Sequence, residues 1–187
     1  MRKGDKEPKP NNAEFNQAAL VHLDALYGFA MSLTRNQTEA EDLVQEAYLQ
    51  AWKSFHRFEP GTNCRAWLFK ILFHVIQHHR RKWFKMPMVS DQDERIEETL
   101  SYEPPVSPHL SDEDVIAAVE KIPPHYREVV LLADVEELAY KEVAAALDIP
   151  LGTVMSRLNR GRKLLRQELA EFAGGYGINQ KEGGRGA

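Results

Sequence analysis

Apolar residues recur at helical spacing along most of the chain, and seven segments carry the pattern. They are residues 14–34, 38–54, 64–84, 112–121, 124–135, 139–147 and 153–172. In the second, Leu43, Ala47, Leu49 and Trp52 supply the apolar side, and Thr38 followed by Glu41 predicts a capping box. In the third, Trp67 with Ile71 and Phe69 with Phe73 repeat at i, i+4, which assigns them to a core. Ser111 reads as the N-cap of the fourth, and Pro123-Pro124 separates it from the fifth. In the last, Val154, Leu158, Gly161 and Leu165 follow i, i+4, i+7, i+11 and make one buried stripe. No segment alternates convincingly as a strand and no internal repeat is visible, so the expected fold class is all-α.

The polar stretches divide these helices into two groups. Phe55 to Asn63 reads as a loop by its Pro60-Gly61 pair. Met86 to Leu110 has four prolines, six acids and little periodicity, the composition of a tether. The expected organisation is an N-terminal arm (1–13), a three-helix domain (14–86), a flexible acidic linker (87–111), a second helical domain (112–173) and a glycine-rich, fraying tail (174–187).

Composition narrows the class. With 187 residues and 43% hydrophobic content, the chain can bury one core or two small ones. No apolar run reaches the roughly 18 residues of a bilayer span, so membrane insertion is not expected. MRKGDKEPKPNN has no apolar stretch suited to a secretory signal. A single cysteine, Cys64, excludes an intramolecular disulfide and suits a reducing, cytoplasmic setting. The net charge of −4 hides local asymmetry. Residues 1–86 carry 13 Lys/Arg against 9 Asp/Glu, whereas residues 87–111 carry 1 against 6.

The cations cluster twice, at His79-Arg80-Arg81-Lys82 and along the last helix, where Arg157, Arg160, Arg162, Lys163 and Arg166 precede any acid. That last helix follows a shorter one across Asp148-Ile149-Pro150, with Thr153 as N-cap or first-turn residue. Ser156, Asn159, Arg160 and Lys163 point away from the buried stripe. A braced helix with a polar, basic outer face is how a helix-turn-helix meets the major groove. On the second helix of the chain, Asp42, Gln45 and Glu46 lie at i, i+3, i+4 and form an acidic patch suited to a basic partner helix.

Two separate motifs in this order resemble a known family. Ala40 to Phe55 is similar to region 2.2, Asn63 to Lys82 to regions 2.3 and 2.4, and Ile122 to Leu165 to region 4, of extracytoplasmic-function (ECF) RNA polymerase sigma factors. The resemblance implies a promoter-recognition factor that joins bacterial core RNA polymerase and starts transcription, in a stress response under an anti-sigma factor, at the nucleoid. It implies that Asp42, Gln45 and Glu46 dock on the β′ clamp helices and that region 4 meets the β flap. It also implies that the 56–63 loop holds a flipped base of the −10 element, whose unpairing costs a few kcal/mol. Aromatics and cations are the usual means of holding a single strand. The −10 candidates are Arg57, Phe58, Asn63, Lys70, His74, Arg80 and Arg81, with His74 standing where many members carry Asn. The −35 candidates are Tyr140, Met155, Ser156, Arg157, Asn159, Arg160, Arg162 and Lys163. Arg160 and Asn159 suit guanine and adenine edges, Arg162 and Lys163 suit phosphates, and Met155 replaces a common cation.

His74, His78 and His79 could share a metal at i, i+4 spacing, but no carboxylate or thiol stands beside them on the helix, so no metal and no cofactor are expected. No nucleophile–base pair or phosphate loop points to an enzyme. Two rivals remain: a dimeric helix-turn-helix repressor, and a helical decoy that mimics a sigma factor to bind its inhibitor.

Overall fold

The computed structural model describes residues 12–84 and 110–177, with side chains at 12–80 and 110–172. Most of the expected arm and linker, the tail beyond Gly177 and the side chain of Arg81 therefore lie outside the described residues. Among those described, the structure is helical with no strand. The elements are α1 (Asn12–Ala19), α2 (Leu23–Thr34), α3 (Gln37–Ser54), α4 (Cys64–Phe84), α5 (Asp112–Lys121), α6 (Pro124–Val130), α7 (Tyr140–Leu147) and α8 (Leu151–Gly177). A 3₁₀ turn at Leu20–His22 joins α1 to α2, dividing the first expected helix. A second 3₁₀ turn, Phe55–Arg57, opens the loop, and the fifth expected helix runs to Val135 with its last five residues, Leu131–Val135, wound as a π-helix. The described residues divide into two compact units, one within Met1–Met86 plus Glu136–Leu151, the other within Pro87–Val135 plus Gly152–Ala187.

The first unit is α1 to α4 with α7 packed on α4. Its core centres on Leu26, Leu43, Leu68, Phe69, Leu72 and Val75, all fully buried, with the Phe29 ring edge-on to Phe69 at 5.4 Å. The α3 stripe differs from the expected one. Ala40, Leu43, Val44, Ala47 and Ala51 are buried, whereas Leu49 is 52% exposed and Trp52 lies at the margin. Leu49 is six residues from Leu43, which rotates it well off that face at 3.6 residues per turn. Trp67 and Ile71 are only half-buried, unlike Phe69 and Phe73, because Trp67 leans outward onto Phe58 at 5.2 Å and Phe55 at 6.2 Å.

The α3 cap also corrects the expectation. Arg35 ends α2 in the left-handed conformation (φ 55°), its N–H reaching the Met31 carbonyl, and this leaves Asn36 extended just before the helix. Asn36 Oδ1 therefore accepts the Glu39 N–H at 3.0 Å and caps α3. Thr38 is already inside the first turn, and Glu41 accepts from the Gln37 amide at 2.8 Å instead of closing a capping box.

In the second unit Ser111 caps α5 as expected: its Oγ accepts the Asp114 N–H at 3.2 Å, and Asp114 accepts the Ser111 N–H at 2.9 Å. Pro124 occupies the first position of α6, where a missing N–H does no harm. Arg127, only 5% exposed, donates to the Ile122 carbonyl at 2.9 Å and to the Glu120 carbonyl, tying down the end of α5. On α8, Val154, Leu158 and Gly161 are buried as the stripe requires, Leu165 is half-buried, and Leu169 extends the stripe. Helix α8 begins at Leu151, so Thr153 is a first-turn residue rather than the cap. It runs on to Gly177, so the first four residues of the expected tail, from Gly174, are helical.

Candidate polymerase and promoter interfaces

Burial of the small-residue stripe of α3 sets the opposite face outward. Asp42 and Gln45 are exposed and Glu46 is partly exposed, so the three residues form one surface patch as their spacing predicts. The patch is held from α4. His79 Nε2 lies 2.7 Å from Glu46 Oε2, and Gln50 Nε2 donates to Glu46 Oε1 at 3.2 Å. The His79 hydrogen bond is the main reason the Glu46 carboxyl sits below its usual range. Burial opposes it, and the charges of His79 and His78 and the Gln50 contact assist. Sequence reasoning missed this pair because 33 residues separate its members.

The loop and α4 bring the −10 candidates to varied surroundings. Phe15, Phe55, Phe58 and Trp67 form a continuous aromatic run, with Phe55 and Phe58 stacked at 5.7 Å, so Phe58 keeps only part of its surface exposed. Gly61 turns the loop at φ 89°, a conformation a side chain rarely adopts. Arg57 is exposed, its Nε donating to the His56 ring at 3.1 Å. Asn63 caps α4: its Oδ1 accepts the Ala66 N–H at 3.2 Å. Its Nδ2 donates to Glu142 Oε1 at 2.9 Å, so both ends of this amide are engaged. Lys70 and His74 are exposed one turn apart on α4, and Arg80 is half-exposed beyond them.

Two acids next to or within α7 complete the first unit. Glu142 Oε2 accepts the Ala139 N–H at 2.9 Å, capping α7 where Ala139 has no side chain to do so. Glu136 is 8% exposed and ion-paired with Arg65 at the start of α4. Burial raises the Glu136 carboxyl above its ordinary range, and Arg65 opposes that shift. Burial and the Arg65 charge lower His22, and burial pushes the Cys64 thiol up. These partners lie 71 and 79 residues apart, so no local pattern announces them.

On α8, Met155, Ser156 and Asn159 are exposed, and Arg157, Arg160, Arg162 and Lys163 are half-exposed. Ser156 Oγ donates to the Thr153 carbonyl at 3.1 Å. Arg162 is engaged within its own unit. It makes a two-pronged pair with Asp134, Nε to Oδ2 at 3.0 Å and Nη2 to Oδ1 at 2.5 Å. Such forked pairs are strong and directional. Tyr140, 39% exposed, belongs to the first unit, so the −35 candidates are distributed over both.

This is a two-unit, all-α protein with an outward acidic patch on one helix and a basic outer face on another. Family comparison agrees with the division of motifs. Sigma-70 region 2 matches residues 20–84, and Sigma-70 region 4 matches residues 112–165. The chain is 37% identical to the ECF RNA polymerase sigma factor EcfG of Rhodopseudomonas palustris, over 78% of this chain and 80% of that protein. It is 33% identical to the ECF RNA polymerase sigma factor SigE of Mycolicibacterium smegmatis, over 91% of this chain and 66% of that longer protein. Among solved structures it is similar to the sigma factor RpoE of Bartonella quintana in complex with the anti-sigma factor NepR. There the TM-score is 0.63 and the identity 32%, with 84% of this chain and 97% of that one covered. The fold is shared as well by CnrH in complex with the cytosolic domain of CnrY, at TM-score 0.59 and 23% identity, covering 86% of this chain and 90% of that one. The chain belongs to the ECF RNA polymerase sigma factors. It is a transcription initiation factor that binds RNA polymerase and recognises promoters through regions 2 and 4. No helix among the described residues is long and apolar enough to cross a membrane.

Proposed function

We propose that the α3 patch of Asp42, Gln45 and Glu46 docks on the β′ clamp helices of bacterial core polymerase, while region 4 rests on the β flap. The observation that carries this reading is the exposure of those three polar groups on one face of a helix whose other face is buried. In the same reading Arg57, Phe58, Asn63, Lys70, His74, Arg80 and Arg81 hold the −10 element. Met155, Ser156, Arg157, Asn159, Arg160, Arg162 and Lys163, with Tyr140, meet the −35 element. Asn63 Nδ2 has a second N–H to offer a base while the first holds Glu142, and Arg162 must share or leave Asp134 before it meets a phosphate. Residues 14–86 and 112–173 act as the two promoter-reading segments, joined by the 87–111 linker. The protein works in the cytoplasm at the nucleoid, in a stress response, and an anti-sigma factor restrains it. The Bartonella quintana relative bound to NepR supports that last point.

Run-off transcription with core polymerase on a promoter library tests the reading. The expected result is initiation at promoters with paired elements, lost when Gln45→Ala is combined with Glu46→Lys. In mobility-shift assays the chain without polymerase should show little specific affinity. Nanomolar, sequence-specific binding by the polymerase-less chain would favour a repressor.

A further inference from the structure

Met155 puts a large apolar side chain on the outward face of α8, where it is 51% exposed. The buried side of that helix is carried by Val154, Leu158 and Gly161, so Met155 takes no part in the core. Ser156 and Asn159, both exposed, share the outward face with it. The residues one turn away along the helix are Leu151, Gly152, Leu158 and Asn159, none of them charged. The cations of α8 begin only at Arg157 and continue with Arg160, Arg162, Lys163 and Arg166. Gly152 leaves open space beside its backbone, since a Cβ built there meets nothing within 4 Å. On α8 itself, then, the first turns offer an uncharged and sterically open approach to Met155, and the basic groups follow.

The chemistry of that side chain restricts what it can read. Methionine has no donor and only a weak thioether acceptor. Among the groups that base pairs present in the major groove, the donors and acceptors are matched by polar side chains, and the one apolar group is the C5 methyl of thymine. In a helix-turn-helix the N-terminal residues of the second helix are those that reach base edges, and Met155 is the fifth residue of α8. We propose that Met155 is a specificity-determining residue that packs its thioether chain on the C5 methyl of one thymine in the −35 element. The inference rests on the assignment of α8 to that element. Three rotatable bonds let the side chain settle on a methyl group without a fixed register. Cytosine at the same place offers no methyl and turns an amino donor toward a side chain that cannot satisfy it.

The test measures binding of holoenzyme, assembled from core polymerase and the full-length chain, to a promoter obtained from the run-off library. Each thymine of its −35 element, on both strands, is replaced in turn by deoxyuridine, which keeps every hydrogen-bonding group and lacks only the methyl. For the native chain one replacement is expected to weaken binding roughly threefold to fivefold, the worth of one methyl group removed from water. Met155→Gln, close in length but polar at its end, should lose the discrimination between thymine and uridine at that position. Its salt dependence should equal that of the native chain, because no phosphate contact is removed. Far-UV circular dichroism establishes that the variant is folded. If no uridine replacement weakens native binding, if Met155→Gln keeps the full penalty, or if its salt slope falls by about one charge, the inference is overturned. If scrambling the whole −35 element leaves native binding unchanged, the assignment of α8 to that element fails and the inference falls with it.

Discussion

Gly161 of α8 is the place where a single methyl group should do the most damage at the least chemical change. A Cβ built there meets Val130 Cγ2 at 2.6 Å, and Tyr126 Cβ and carbonyl oxygen at 3.3 Å each. Ordinary contact begins near 3.4 Å, so α6 and α8 must separate by roughly 1 Å to restore optimal carbon–carbon spacing. Neither neighbour can swing aside. Val130 is 2% exposed and stiff at its branched Cβ, and the Tyr126 atoms are backbone or directly attached to it. Overpacking of this kind costs about 1–3 kcal/mol. Alanine recovers about 0.8–1.0 kcal/mol of helix propensity, so Gly161→Ala should lose about 0–2 kcal/mol net. For a unit of this size that lowers the melting temperature by about 4–8 °C per kcal/mol. Gly152 is the internal control, because a Cβ there meets nothing within 4 Å, and Gly152→Ala should leave stability unchanged or raised. Thermal and urea unfolding of the full-length chain, followed by far-UV circular dichroism, gives both values. A Gly161→Ala variant that gains as much stability as Gly152→Ala would refute the close approach of α6 and α8.

Asn36→Ala should destabilise the protein by about 1 kcal/mol through loss of the α3 cap, whereas Thr38→Ala should be nearly silent; equal effects in urea unfolding would restore Thr38 as the cap. Tyr48 donates to the Ala19 carbonyl at 2.8 Å, and burial pushes its pKa from 10.0 up to about 12. The folded state therefore prefers the neutral phenol. Stability is whole below pH 10 and falls as pH rises toward 12, and Tyr48→Phe should flatten that fall while costing about 0.5–1.5 kcal/mol at neutral pH. A native chain whose Tyr48→Phe variant loses stability along the same alkaline curve would contradict this account. Arg160→Ala should cost about 1–3 kcal/mol and relax discrimination at one −35 position, while Lys163→Ala should weaken all −35 sequences alike and lower the salt slope by about one charge. Holoenzyme binding on matched and mismatched promoters at several salt concentrations checks both, and the reverse pattern would exchange their roles.

Helix positions and the two sigma motifs were legible in the sequence because both depend on local spacing. The stripe through Val154, Leu158 and Gly161, the Ser111 cap and the outward patch of Asp42, Gln45 and Glu46 each follow from a period of 3.6 residues within a single element. Leu49 and Thr38 escaped that logic. An apolar residue off the stripe, or a threonine one step late, is decided by where the helix begins and what packs beneath it. The left-handed turn at Arg35 fixes that start.

Contacts between elements are a different matter. His79 on Glu46, Asn63 on Glu142, Arg65 on Glu136 and Arg162 on Asp134 join residues 28 to 79 positions apart. Each arises from the rotation and offset at which two surfaces dock, and periodicity within one element contains neither quantity. For the same reason the packing of α7 on α4, which places Glu136–Leu151 with the first unit, is invisible in the chain's pattern. By itself the sequence determined which surfaces are apolar, which are charged and which family they belong to. Only the tertiary structure decided which of those charges are already paired before polymerase or promoter arrives.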